Sequence, residues 1–165
     1  MRGGLMLAAG LAAGLLGGVA SGQEAPVKLG AVLPFSGGLE LFGGQARLGI
    51  DLAVKEINDG GGIQGRPVEV IYEDNQTDPR TSVERATKLT RGDGVIAVLG
   101  PITSNARDAM LPTMERAKVP LLYATNYEGG ACSRYVFAFN SVPNTSPPAS
   151  ATSVAAVSNI FCGQT

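Results

Sequence analysis

Val95-Ile96-Ala97-Val98-Leu99-Gly100-Pro101-Ile102-Thr103-Ser104 decides the fold. Its first five residues are apolar without interruption, the pattern of a parallel strand covered on both faces. Gly100-Pro101 breaks the strand, and Thr103 or Ser104 can cap a helix that carries Ala106, Ala109, Met110, Met114 and Ala117. Val119-Pro120-Leu121-Leu122-Tyr123 follows as another strand. Strand, break, cap, helix and strand make a βαβ unit, so the two strands are expected to run parallel.

Working outward, the same alternation recurs. Residues 27–33, Val-Lys-Leu-Gly-Ala-Val-Leu, read as a first strand ended by Pro34 and Ser36-Gly37-Gly38. Ala46, Ile50, Ala53, Val54 and Ile57 recur at helical spacing, with Gln45, Arg47, Asp51, Lys55 and Glu56 mostly on the other side. Asn58-Asp59-Gly60-Gly61-Gly62 stops that helix. A second strand spans 68–72 and ends at Glu73-Asp74. Asp78-Pro79 opens a second helix, with Asp at the N-cap and Pro where its missing N–H costs nothing. A short fifth strand is expected over 135–139. The predicted fold class is therefore α/β, an open parallel sheet with helices on both faces. Ligands of such sheets bind beyond the carboxyl ends of the strands, near a switch in strand order. That rule gathers the loops 34–38, 100–104 and 123–130.

Composition narrows the function. The 165 residues hold 13 Lys+Arg and 14 Asp+Glu, a net charge of -1, and no His. A His-based triad, a His metal cluster and a histidine pH switch are thereby excluded. Near-neutral charge gives no footprint for nucleic acid. The first turn supplies no G-x-G-x-x-G, and neither a P-loop nor a G-x-S-x-G elbow occurs. No nucleophile-base pair is visible, so the chain is expected to be no enzyme, without cofactor or metal. Glu73-Asp74 at a strand end reads as two solvated carboxylates at a loop start rather than a metal pair.

The ends differ from this middle. Met1-Arg2 precede 18 uncharged residues, 3–20, and then Gln23-Glu24-Ala25-Pro26. That is a secretory signal, residues 1–22, cut between Ala20 and Gln23. The run is also long enough for one membrane span, although its six glycines weaken an anchor. Cleavage leaves roughly 143 residues, one ordinary domain. Export allows Cys132 and Cys162 to pair, and two incidental thiols fit equally well. Residues 145–165 are rich in Ser, Thr, Pro and Ala, with no charge from Ser141 onward, and read as an irregular tail.

Two stretches suggest a binding site. In 100–105, backbone N–H groups and two hydroxyls converge at a helix start, where a small carboxylate or amide oxygen fits; simple N-capping by Ser104 is the structural alternative. Tyr123, Thr125 and Tyr127 alternate, which puts them on one side of an extended chain. A polar ligand between aromatic walls and a structural role for the tyrosines both suit them.

With these residues in place a resemblance is visible. Residues 27–37, then Gly49-Ile50-Asp51-Leu52-Ala53-Val54-Lys55-Glu56-Ile57-Asn58, then Val70-Ile71-Tyr72-Glu73-Asp74-Asn75-Gln76-Thr77-Asp78-Pro79 resemble the type I periplasmic binding proteins of branched-chain amino acid ABC transporters. Met110-Leu111-Pro112, Glu115-Arg116, 123–130 and Val142-Pro143-Asn144 resemble most the branch that binds urea and short amides. The likeness covers 27–144. It implies a first lobe, 27–144, of a periplasmic or secreted receptor whose two lobes close on a small polar solute, an amino acid, amide or urea, before docking on a membrane permease. By position it implies that Ser104, Tyr123 and Thr125 hold the solute's polar head. The amide branch has an aromatic residue where this chain has Ile102. Family members are about twice this length, and the tail has the composition of a shifted frame or truncated gene. A lone lobe implies weak or no binding. A ligand-sensing regulator of the amide-binding type, or a non-functional fragment, are the alternatives.

Overall fold

In the computed structural model, residues 24–125, 131 and 133–138 are described. The expected signal 1–22, Tyr127, both cysteines and the expected irregular tail lie outside them. β1 (Val27–Leu33), α1 (Glu40–Asp59), β2 (Val68–Asp74) and α2 (Pro79–Lys88) are followed by a π-helical turn (Leu89–Asp93). β3 (Val98–Leu99), α3 (Ser104–Ala117), β4 (Leu121–Tyr123) and β5 (Val136–Ala138) complete the order.

All pairings are parallel, in the order β2-β1-β3-β4-β5. The sheet grows one way from β1 to β2 and the other way from β3 onward. Right-handed crossovers then put α1 on one face and α2 with α3 on the other. The register sets Gly30 beside Val98, and Val98 beside Leu121. On that face Val32, Val98 and Leu121 meet Ala86, Leu89, Met110 and Met114, all with 0% exposure, and form the core. Gly30 has no side chain, and Leu89 fills its place: a Cβ there would lie 2.8 Å from Leu89 Cδ1.

Helix starts follow the sequence closely. Asp78 caps α2, its carboxylate accepting from Thr81 N at 2.7 Å and Thr81 Oγ1 at 2.9 Å. After Lys88 the helix widens into the π turn, which keeps Leu89 inward and ends at left-handed Gly94.

Two expectations need correction. Of the apolar set in α1, Ala46, Ile50 and Val54 are half-buried, but Ala53 and Ile57 are exposed. α1 touches the sheet along a narrow stripe, with Gly43 against the Pro34 carbonyl and Asn58 bonding both backbone groups of Val68, at 3.0 and 2.7 Å. A polar residue thus fixes the last turn, and the helix has no need of a wide apolar face. The third strand is also less covered than its composition suggests. Ile96 is 60% exposed, and the ladder to both neighbours is confined to Val98–Leu99.

Candidate functional site

The switch in strand order falls between β1 and β3, and the loops 34–38 and 100–104 leave the sheet there. Gly100 holds them together. Its φ is +97, and a Cβ would run into the Val32 carbonyl oxygen of β1. Gly100 N donates to Leu122 O at 3.0 Å, so one residue ties β3 to the strands on both sides.

Beyond Gly100 the chain enters α3 with Thr103 at the N-cap (φ −98, ψ 143). Its hydroxyl caps nothing; Thr103 Oγ1 is buried without a partner among the described residues. Ser104 is the first residue of the helix rather than its cap, and its Oγ lies 3.3 Å from the Tyr123 hydroxyl. That hydroxyl also donates to Ile102 O at 3.3 Å, and Thr125 Oγ1 donates to the same carbonyl at 3.0 Å. Ser104, Tyr123 and Thr125 therefore come together, joined by Ile102. What Ile102 contributes is its main-chain oxygen, whereas the sequence drew notice to its side chain. Tyr123 and Thr125 give their hydroxyl protons to the Ile102 carbonyl, so a carboxylate or carbonyl oxygen at this helix start would take one of them in exchange for that bond, with the helix dipole favouring negative charge.

The second loop is built around Asp74. Its carboxylate accepts from Phe35 N at 2.9 Å, Ser36 N at 3.2 Å, Ser36 Oγ at 2.6 Å and Gln76 N at 2.8 Å. Thr77 Oγ1 donates to Ser36 O at 3.0 Å, and Gly37 (φ +86) is packed against the Gln76 carbonyl. Glu73 pairs with Lys88 at 2.6 Å and Arg85 at 3.5 Å. The reading of Glu73-Asp74 as two solvated carboxylates is corrected: both are engaged, because the strand carries them onto α2 and onto the 34–38 loop.

Partial burial raises the Asp74 carboxyl pKa, but the Ser36 hydroxyl and the N–H groups of Gln76, Phe35 and Ser36 outweigh it and hold the value below the ordinary 3.8. A depressed pKa contributes stability that is complete above the unfolded value and is lost as pH falls through the folded one. Urea unfolding across an acid series should therefore show stability falling below about pH 4, with a shallower fall in Asp74→Asn. Equal slopes in the two proteins would remove Asp74 as the cause.

Sequence reasoning missed Arg107. It is 2% exposed, beneath Tyr123, with its guanidinium carbon 4.7 Å from the ring centroid. The signal was present: Arg107 stands three and seven residues before Met110 and Met114, a charge on the inner stripe of α3.

A five-stranded parallel sheet with its switch beside β1, and a hydroxyl cluster at the carboxyl end, define the lobe of a type I periplasmic binding protein. Residues 26–160 match the family model described as periplasmic binding protein, and the chain belongs to that family of solute-binding proteins. The match reaches beyond residue 144, where the motif likeness stops. The chain is 34% identical over 108 residues to Leu/Ile/Val-binding protein homolog 7 of Brucella suis, covering 66% of this chain and 27% of that protein. It is 34% identical over 87 residues to the chemotactic signal transduction system substrate-binding protein BasB of Halobacterium salinarum, covering 52% of this chain and 21% of that one. Among solved structures it resembles the branched-chain amino acid transporter substrate binding protein LivJ of Streptococcus pneumoniae in complex with isoleucine. The TM-score there is 0.64 at 34% identity, over 68% of this chain and 33% of that chain. The chain spans about a quarter of the length of the curated relatives it matches.

Proposed function

We propose that this chain is the first lobe of an exported substrate-binding receptor of an ABC importer, taking a branched-chain amino acid or a related small amide or urea. The observation that carries the reading is the cluster at the start of α3, where the Tyr123 and Thr125 hydroxyls meet on the Ile102 carbonyl and Ser104 Oγ lies against the Tyr123 hydroxyl. Those groups receive the carboxylate or carbonyl end of the solute. The names of the Brucella and Streptococcus relatives favour a branched-chain amino acid. The motif at 123–130 favours an amide. The signal at 1–22 and the family support a periplasmic or secreted location, with a membrane permease as partner.

The described residues supply one wall of a cleft, and binding to that wall alone is expected to be weak. Nitrogen-15 NMR detects it: titration with L-isoleucine, L-leucine, acetamide and urea should shift the amides of residues 102–104 and 123–125 for one of the two classes. Ser104→Ala should weaken that binding about five- to tenfold without unfolding the lobe, the worth of one hydrogen bond to a charged or strongly polar oxygen. No shift with any of the four solutes, or shifts elsewhere in the molecule, would reject the site. Sequencing past codon 144 in all three frames tests truncation, which predicts that another frame continues into a second α/β lobe.

A second reading, a sensor that reports solute to a signalling partner, is favoured by the likeness to the chemotactic relative. Copurification with a receptor rather than a permease would decide for it.

A further inference from the structure

Burying a guanidinium is costly, because it stays charged under all conditions and loses its water. Arg107 is nonetheless 2% exposed, on the second turn's edge of α3, three residues from Ser104. Its Nε donates to Asp108 Oδ1 at 2.9 Å, and its guanidinium carbon stands 4.7 Å from the centre of the Tyr123 ring, within cation–π range. The ring is itself 1% exposed, and its hydroxyl reaches both Ser104 Oγ and Ile102 O.

We infer that Arg107 is a positioning residue for the solute site, a buried cation on the face of Tyr123 that fixes the ring and, through the hydroxyl's bond to Ile102 O, the 102–104 loop. This rests on the reading that the 102–104 loop receives the solute. A cation over the ring draws on its electron density, which makes the hydroxyl a better donor and a poorer acceptor. A ring held from its face also keeps the hydroxyl on Ile102 O and beside Ser104 Oγ, so the 102–104 loop is in place before a solute arrives.

The test is a double-mutant cycle read by NMR titration with L-isoleucine and acetamide. Arg107→Gln, neutral and planar, should weaken binding of whichever probe binds about three- to tenfold. Arg107→Lys, which keeps a cation, should stay within about threefold of the parent. Tyr123→Phe should weaken binding, and adding Arg107→Gln to it should change little more, because the cation acts through the hydroxyl. Unchanged affinity in a folded Arg107→Gln protein would overturn the inference. So would an equal loss in both backgrounds, the mark of a merely structural role. If Tyr123→Phe itself binds normally, the solute site is wrong, and the inference falls with it. Should Arg107→Gln fail to fold, the unaltered protein still decides. Its Arg107 Nε–H resonance should move during titration with the same midpoint as the Tyr123 ring signals, and a stationary resonance would overturn the role.

Discussion

Gly100→Ala should lower stability by about 3 kcal/mol or more, most of the margin of an ordinary domain. Two costs combine. At φ +97 an L-residue lies outside even the left-handed helical region, a strain of about 1–3 kcal/mol. The new methyl group would also run into the Val32 carbonyl oxygen, which is main chain of β1 and cannot rotate away. Overpacking of that kind costs about 1–3 kcal/mol more. Because Gly100 precedes the 101–104 loop, whatever shift relieves the clash also moves Ser104. Gly49→Ala is the internal control. Gly49 lies within α1 with nothing within 4 Å of a Cβ, so alanine there should stabilise by about 0.5–1 kcal/mol. Urea midpoints of the two variants should move in opposite directions. A Gly100→Ala protein as stable as its parent would mean that the close approach of β3 to β1 is not as described.

Asp74→Ala should cost about 2–4 kcal/mol and free the 34–38 loop. The carboxylate serves four donors, three of them backbone N–H groups of Phe35, Ser36 and Gln76. Hydrogen bonds to a charged acceptor are each worth more than neutral ones, and removing the acceptor leaves the half-buried donors of Phe35 and Ser36 unpaired. Asp74→Asn keeps one acceptor oxygen and should lose less. Hydrogen exchange separates a local from a global effect: the amides of Phe35, Ser36 and Gln76 should lose protection before the core amides of β1. Glu73→Gln on the same strand touches only the exposed pairs with Arg85 and Lys88 and should cost about 1 kcal/mol or less. If Asp74→Ala and Glu73→Gln cost the same, Asp74 is not the anchor of the loop.

How far the sequence carried the site depended on what held each residue. Ser104, Tyr123 and Thr125 were legible because strand ends and a helix start place them, and local patterning fixes such elements. The N-cap assignment was open by one residue, and Thr103 took it, since Ser104 Oγ faces the Tyr123 hydroxyl across the sheet end. Arg107 was passed over because a charged side chain on a helix ordinarily faces water, and only the ring packed against it shows what covers it. Asp74 was misread for the related reason that its donors lie 38 and 39 residues away in the chain.

The sequence by itself determined the alternation of strands and helices, the parallel α/β class, the Asp78 cap and the loops 34–38 and 100–104 at the carboxyl end. These follow from periodicity and from residues that act on their near neighbours, which a linear reading contains. Only the tertiary structure decided that α1 leans on a narrow stripe through Gly43 and Asn58, leaving Ala53 and Ile57 in water. It alone set Gly100 against Val32, Asp74 beneath the 34–38 loop and Arg107 under Tyr123. Each of these is a contact between segments far apart in the chain, and its energy depends on approach and burial, which no local pattern encodes.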